Sequence, residues 1–144
     1  MRTTYGWVDI DPTIVVHRVM PDVDPEIEQC GVVYGYRDSC TMRTTTAAWL
    51  PNVAENPKES FKFKTSDMSE QEHYRVFAQA AHSVVVGSWH THYDSETSYP
   101  SIYDLQDCKR GYFGCVYCPA SRMFSVYDTY GILGSYELTE GDLS

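Results

Sequence analysis

Two histidines separated by one residue, His90-Thr91-His92, are the residues of this 144-residue chain whose types and spacing point most directly to chemistry. In an extended strand the side chains at i and i+2 leave the same face, so both imidazoles can reach one metal ion. Ser101 and Asp104 follow on a segment that reads as a short helix, where i and i+3 share a face, so Asp104 can add a carboxylate. Two His and one carboxylate, with a fourth position open to water, is the usual composition of a catalytic Zn²⁺ site. Taken singly, the same residues have plainer readings. A His-x-His pair also occurs at polar strand ends, Ser101 suits a helix N-cap, and Glu28 suits a solvated carboxylate just ahead of a strand.

The elements that must position these groups are legible in outline. Val84-Val85-Val86-Gly87-Ser88-Trp89-His90 is apolar and β-branched, as expected of a strand covered on both faces. Cys30 to Tyr36 and Thr41 to Leu50, with polar Arg37-Asp38-Ser39 between them, predict an antiparallel pair. Ser60-Phe61-Lys62-Phe63-Lys64 alternates with period two and predicts a third strand. A Ser66/Asp67 cap, early acidic residues and Tyr74, Phe77, Ala78 and Ala81 on one face predict a helix over about 67–82. Residues 12–20, opened by Asp11-Pro12, fit either a short helix or a strand. A polar loop over 93–99, a short helix opening at Pro100-Ser101, and strands near 112–118, 122–128 and 132–138 complete the chain. The expectation is one domain over 1–144 of α/β (α+β) class, a curved mixed β-sheet flanked by helices.

Composition narrows the function classes. Hydrophobic residues at 42% and charged residues at 22% are those of a globular domain. Eleven Lys plus Arg against 20 Asp plus Glu give a net charge of −9, which repels a phosphate backbone, so no nucleic-acid partner is expected. No apolar run approaches the roughly 20 residues of a membrane helix, and the N-terminus lacks the apolar core of a signal peptide, so no membrane partner and a cytosolic location are expected. The five cysteines (Cys30, Cys40, Cys108, Cys115, Cys118) are expected to be mostly reduced thiols. Cys115-x-x-Cys118 supplies half of the pattern of a metal-dependent deaminase, but the His-x-Glu half is absent. A second, structural zinc on the cysteines lacks an evident fourth ligand. Tyr93, Tyr99, Tyr103 and Tyr112 gather near the proposed site, either lining a peptide groove or filling space around a short helix.

Together, Gly87-Ser88-Trp89-His90-Thr91-His92 and Ser101-Ile102-Tyr103-Asp104 resemble the H-[ST]-H, then S-x-x-D motif of the JAMM (JAB/MPN+) metalloprotease family. Upstream, Glu28-Gln29-Cys30-Gly31 is similar to that family's E-x-C-G strand, and Pro51-Asn52-Val53-Ala54-Glu55-Asn56-Pro57 with Phe61 is similar to its bacterial and phage members. The elements stand in family order over roughly 26–128. The spacer from His92 to Ser101 holds eight residues rather than seven, and Tyr93 stands where a Pro usually follows the second His. Ser98 is an alternative hydroxyl, but Ser101 keeps the i, i+3 relation to Asp104.

The resemblance implies a JAB/MPN-like, cytidine-deaminase-like three-layer fold and hydrolysis of a peptide or isopeptide amide. It implies Zn²⁺ held by His90, His92 and Asp104, Glu28 as general acid/base, and Ser101 as hydrogen-bond donor to the developing oxyanion. It selects Glu28 over Glu26. Implied partners are a protein or peptide substrate, of the ubiquitin-like-tail or phage-tail-protein kind. The alternative is a non-catalytic module of the same fold that docks or assembles with a partner.

Overall fold

The computed structural model describes residues 2–93 and 99–143. Eight strands form one sheet in the order β1-β2-β4-β3-β5-β6-β7-β8, with β1 Thr3–Tyr5, β2 Val8–Ile10, β3 Cys30–Asp38, β4 Thr41–Leu50, β5 Val84–Thr91, β6 Phe113–Cys118, β7 Met123–Asp128 and β8 Gly131–Glu137. The pairs β2·β4 and β5·β6 are parallel and the rest antiparallel. The sheet curls until its edges approach. Tyr5 of β1 stacks on Tyr136 of β8, with centroids 6.0 Å apart and planes at 19°.

Inside the curl lies the main core, built from alternate residues of each strand: Val8, Ile10, Val33, Trp89, Phe113 and Phe124 are all essentially inaccessible. Such burial is worth about 1.5–3 kcal/mol for each large apolar side chain. Residues 12–20, open between two readings, form a short helix, α1 (Thr13–Val16), whose Val15 closes this core. Val32, Ala48, Leu50 and Met68 form a second cluster on the opposite face of β3 and β4.

Gly31 of β3 stands opposite Trp89 of β5, and the Trp89 indole N–H donates to the Ala48 carbonyl, 3.0 Å away. A Cβ on Gly31 would lie 1.8 Å from that carbonyl oxygen, so only glycine permits the crossing.

The second helix is shorter than expected and turned over. α2 spans Glu70–Ala80 and is capped by Ser69, whose side chain accepts from Glu72 N–H; residues 65–67 form a 3₁₀ turn instead. Tyr74 and Phe77 are 73% and 74% exposed, and Ala78 and Ala81 are exposed with them. The inward face carries Glu72, Arg75, Val76 and Gln79. It works because the charges close on one another: Glu72 pairs with Arg18 (3.2 Å) and Arg75 (2.5 Å), and Arg75 and Gln79 both bond Thr46 of β4.

Residues 60–64 are extended but pair with no strand. The alternation is real in burial, Phe61 and Phe63 half-buried against exposed Lys62 and Lys64, while a loop rather than a strand partners the backbone. In β5, Val84 and Val85 are exposed, so two-sided cover begins only at Val86. α3 (Ile102–Asp107) joins β5 to parallel β6, and α4 (Glu140–Leu143) ends the described chain. The loop expected over 93–99 falls mostly on 94–98, outside the described residues, as does Ser98. No described helix is long and apolar enough to cross a membrane.

Candidate metal centre

Strand register brings the first three groups together. Cys30 of β3 pairs with His90 of β5. The pairing runs on past the strand end, because Thr91 N–H donates to the Gln29 carbonyl (2.9 Å) and Gln29 N–H to Thr91 Oγ1 (2.8 Å). Glu28 therefore falls beside His92, and alternation puts Glu28, His90 and His92 on the face opposite Trp89. Their ligating atoms all lie within 4.8 Å of one another.

The fourth group arrives on α3. Ser101 caps this helix, its Oγ accepting from Asp104 N–H (3.1 Å) while Asp104 Oδ2 accepts from Ser101 N–H (2.8 Å), a complete capping box. The same Oδ2 lies 3.1 Å from His90 Nε2 and 3.8 Å from His92 Nε2, and the two Nε2 atoms are 3.2 Å apart.

These separations test the donor set against a metal. Tetrahedral bonds of about 2.0–2.1 Å place ligand atoms about 3.3–3.4 Å apart, in the middle of this triangle's edges. Two imidazole nitrogens and one carboxylate oxygen at these separations fit Zn²⁺. Burial works against the charge of Asp104, but the hydrogen bond and positive charge of His90, the Ser101 N–H and the charge of His92 hold its carboxyl below the usual value.

His90 is fully buried, and its second ring nitrogen, Nδ1, has no hydrogen-bond partner among the described residues. The ring is held by packing instead. Phe61 stacks on it, with centroids 4.2 Å apart and planes at 19°, and Tyr127 meets it edge-on at 6.4 Å. Tyr127 reaches this place because Gly114 is bare; a Cβ there would lie 2.2 Å from the phenol ring. Burial, then the Asp104 charge, pushes the Tyr127 hydroxyl pKa up, so it stays protonated.

Beside Asp104 lies a cavity of about 230 Å³, and a second of about 290 Å³ adjoins it. They share Phe63, Ser88, Asp107 and Cys108, so together they form a cleft between the 61–63 segment and the end of α3. Tyr112 lines its outer part; Tyr99 and Tyr103 are exposed, and the Tyr93 hydroxyl accepts from Gln29 Nε2 (3.3 Å).

The structure thus brings His90, His92 and Asp104 into one triangle, puts Glu28 next to it, and sets Ser101 at its rim as the cap of α3. None of the five cysteines is in a disulfide, and no cysteine belongs to a metal-competent group among the described residues. Sequence reasoning missed three residues. Phe61 and Tyr127 clamp His90. Gln29 pins the strand end behind Glu28, bonding the Met20 backbone at both N–H (2.7 Å) and carbonyl (2.8 Å) and the Trp49 indole (3.1 Å). The alternation at 61–63 signalled a wall but not what it covers, and nothing in the sequence marks Gln29.

Comparison with known proteins places the chain in a family. Residues 17–129 match the family described as prokaryotic homologs of the JAB domain. The chain belongs to the JAB/MPN domain family. Among solved structures it is similar to a JAB1/MPN domain protein of Archaeoglobus fulgidus, at 21% identity over 96% of each chain with a TM-score of 0.48. It is also similar to a Desulfitobacterium hafniense protein, at 17% identity over 79% of this chain and 78% of that one with a TM-score of 0.49. A Salinibacter ruber protein is similar at 20% identity over 90% and 78%, with a TM-score of 0.43. No curated protein matches it.

Proposed function

We propose that this chain is a zinc-dependent hydrolase of a peptide or isopeptide amide. The observation that carries the reading is the convergence of His90 Nε2, His92 Nε2 and Asp104 Oδ2 at 3.1–3.8 Å, with Glu28 on the same face. A purely structural cluster of two imidazoles and a carboxylate has no need of a second, buried carboxylate beside it.

In this reading His90, His92 and Asp104 hold the metal. When bound, Zn²⁺ supplies Lewis acidity that lowers the pKa of water to about 7. Glu28, 8% exposed and within reach of both imidazoles, takes the proton of the attacking water and delivers it to the leaving amine. The Ser101 hydroxyl accepts from Asp104 N–H, which leaves its own proton to donate to the carbonyl oxygen as charge develops there. Phe61, Phe63 and α3 bound a cleft that suits an extended segment of a protein or peptide substrate, and the family resemblance adds a ubiquitin-like tail or a phage tail protein as the kind of partner.

The test is cleavage of pooled linear and isopeptide-linked peptides by zinc-loaded wild type and Glu28→Gln, followed by mass spectrometry. New termini are expected with the wild type and not with Glu28→Gln at equal zinc content. No cleavage by either would overturn the hydrolase and make the chain a binding or assembly module of the same fold.

A further inference from the structure

The Asn52 side chain uses all of its hydrogen-bonding capacity, on two parts of the site at once. Its Nδ2 donates to the carbonyls of Glu28 (2.8 Å), Ser60 (3.0 Å) and, more weakly, Pro57 (3.4 Å). Its Oδ1 accepts from the N–H groups of Ala54 and Lys62, both at 3.1 Å. Carbonyls on one side and amides on the other fix which way the amide faces. The same loop holds Glu28 from its other side, because Glu28 N–H donates to the Pro57 carbonyl (2.8 Å). The loop closes on itself through Val53 N–H and the Lys62 carbonyl (2.7 Å). Glu28 precedes β3, and Phe61 lies between the two residues, Ser60 and Lys62, that Asn52 grips.

Metal-ligating imidazoles are ordinarily oriented by a hydrogen bond from their second ring nitrogen. His90 Nδ1 makes none among the described residues, and Phe61 lies flat on the ring. Phe61 is therefore one of the supports of the His90 ring, beside Tyr127 and the Asp104 contact at Nε2.

We infer that Asn52 is a positioning residue of this centre: its amide locks the Glu28 backbone and the Phe61 ring into one unit, and through Phe61 it supports the orientation of the His90 imidazole. The part concerning Glu28 rests on the proposed hydrolase, whereas the orientation of His90 is readable without any metal. The arrangement also links the cleft to the centre, since Phe61 and Phe63 form its wall.

The experiment uses the full chain as wild type, Asn52→Ala, Asn52→Asp and Phe61→Leu, with Asn56→Ala as a control in the same loop. Asn52→Asp keeps the acceptor for Ala54 and Lys62 and loses the three donations. The first readout is the carbon-correlated proton spectrum of the histidine rings in metal-free protein, where Phe61 stacking shifts the His90 ring protons upfield. Both Asn52 variants are expected to move the His90 signals towards their positions in Phe61→Leu while core methyl signals stay in place, and Asn56→Ala is expected to match the wild type. His90 signals that stay at their wild-type positions would overturn the proposal. So would loss of the core methyl signals in both Asn52 variants, because Asn52 would then be a general stability residue. The second readout is zinc affinity by chelator competition, expected to fall about 10-fold in Asn52→Ala, the lower end of what outer-shell partners contribute; an unchanged affinity would also overturn it. A wild type that binds no zinc would sink the hydrolase, leaving the imidazole signals to decide the role of Asn52.

Discussion

Replacing Gly31 with Ala should damage both the fold and the centre, and the structure sets the scale. The new Cβ would lie 1.8 Å from the Ala48 carbonyl oxygen and 2.6 Å from Trp89 Nε1, where ordinary contact begins near 3.4 Å. Neither neighbour is the free end of a flexible side chain: one is backbone in β4, the other an indole with no exposed surface. Overpacking of this kind costs about 1–3 kcal/mol. If the indole is driven off the Ala48 carbonyl, its N–H is left buried without a partner, for about 1–3 kcal/mol more. The sum, about 2–6 kcal/mol, corresponds to a melting temperature roughly 5–20 °C lower for a domain of this size. Gly31 adjoins Cys30, which pairs with His90, so zinc affinity should fall in the same variant. Scanning fluorimetry with Gly141→Ala as the control reads the first effect, since a Cβ added at Gly141 would make only an ordinary contact with Thr139 Oγ1, at 3.6 Å, among the described residues. A Gly31→Ala protein melting within 2 °C of that control would refute the argument that Trp89 crosses this strand.

Phe77→Ala should change stability by no more than about 0.5 kcal/mol because its ring faces solvent, whereas a core Phe would cost about 3–5 kcal/mol; urea unfolding separates the two. Ser101→Ala should loosen α3 by about 1 kcal/mol through the lost cap and lower kcat by about 100-fold through the lost donor, while Ser101→Thr restores both. Asp104→Asn should weaken zinc binding by more than about 100-fold, since even outer-shell partners contribute about 10–100-fold. Burial pushes the Cys30 thiol up to about 12 and the Cys108 thiol up to about 11, from an ordinary 9.0. Between pH 9 and 12 the unfolded chain therefore loses these protons before the folded one, and stability should fall as pH rises through that window, as urea midpoints will show. Iodoacetamide at pH 8 should accordingly reach exposed Cys40 first.

The hairpin of β3 and β4, the strand that carries His90 and ends just before His92, and the three closing strands were legible because apolar runs and turn residues bound them. The helix at 70–80 was legible as a helix but not in its orientation. Periodicity registers residue type, so Tyr74 and Phe77 read as the inner face. It has no means of registering that Glu72 pairs with Arg75 and that Arg75 and Gln79 both bond Thr46. Phe61-Lys62-Phe63 gave away its half-burial but not its isolation from the sheet, because what takes the place of a neighbouring strand is the side chain of Asn52. Residue type and spacing suggested His90, His92 and Asp104, whereas Glu28 was singled out only by the resemblance of Glu28-Gln29-Cys30-Gly31 to the family motif. What holds them in place, Phe61 and Tyr127 about His90 and Gln29 behind Glu28, depends on contacts across distant parts of the chain that no local pattern records.

The most direct test of the metal centre is zinc content by plasma mass spectrometry of protein purified without added metal, for the wild type and for the His90→Ala/His92→Ala variant. About one zinc per wild-type chain, lost in the variant, is the expected result. A wild type that remains free of zinc after incubation with excess Zn²⁺ would contradict the assignment of His90, His92 and Asp104 as ligands, and with it the proposed hydrolase.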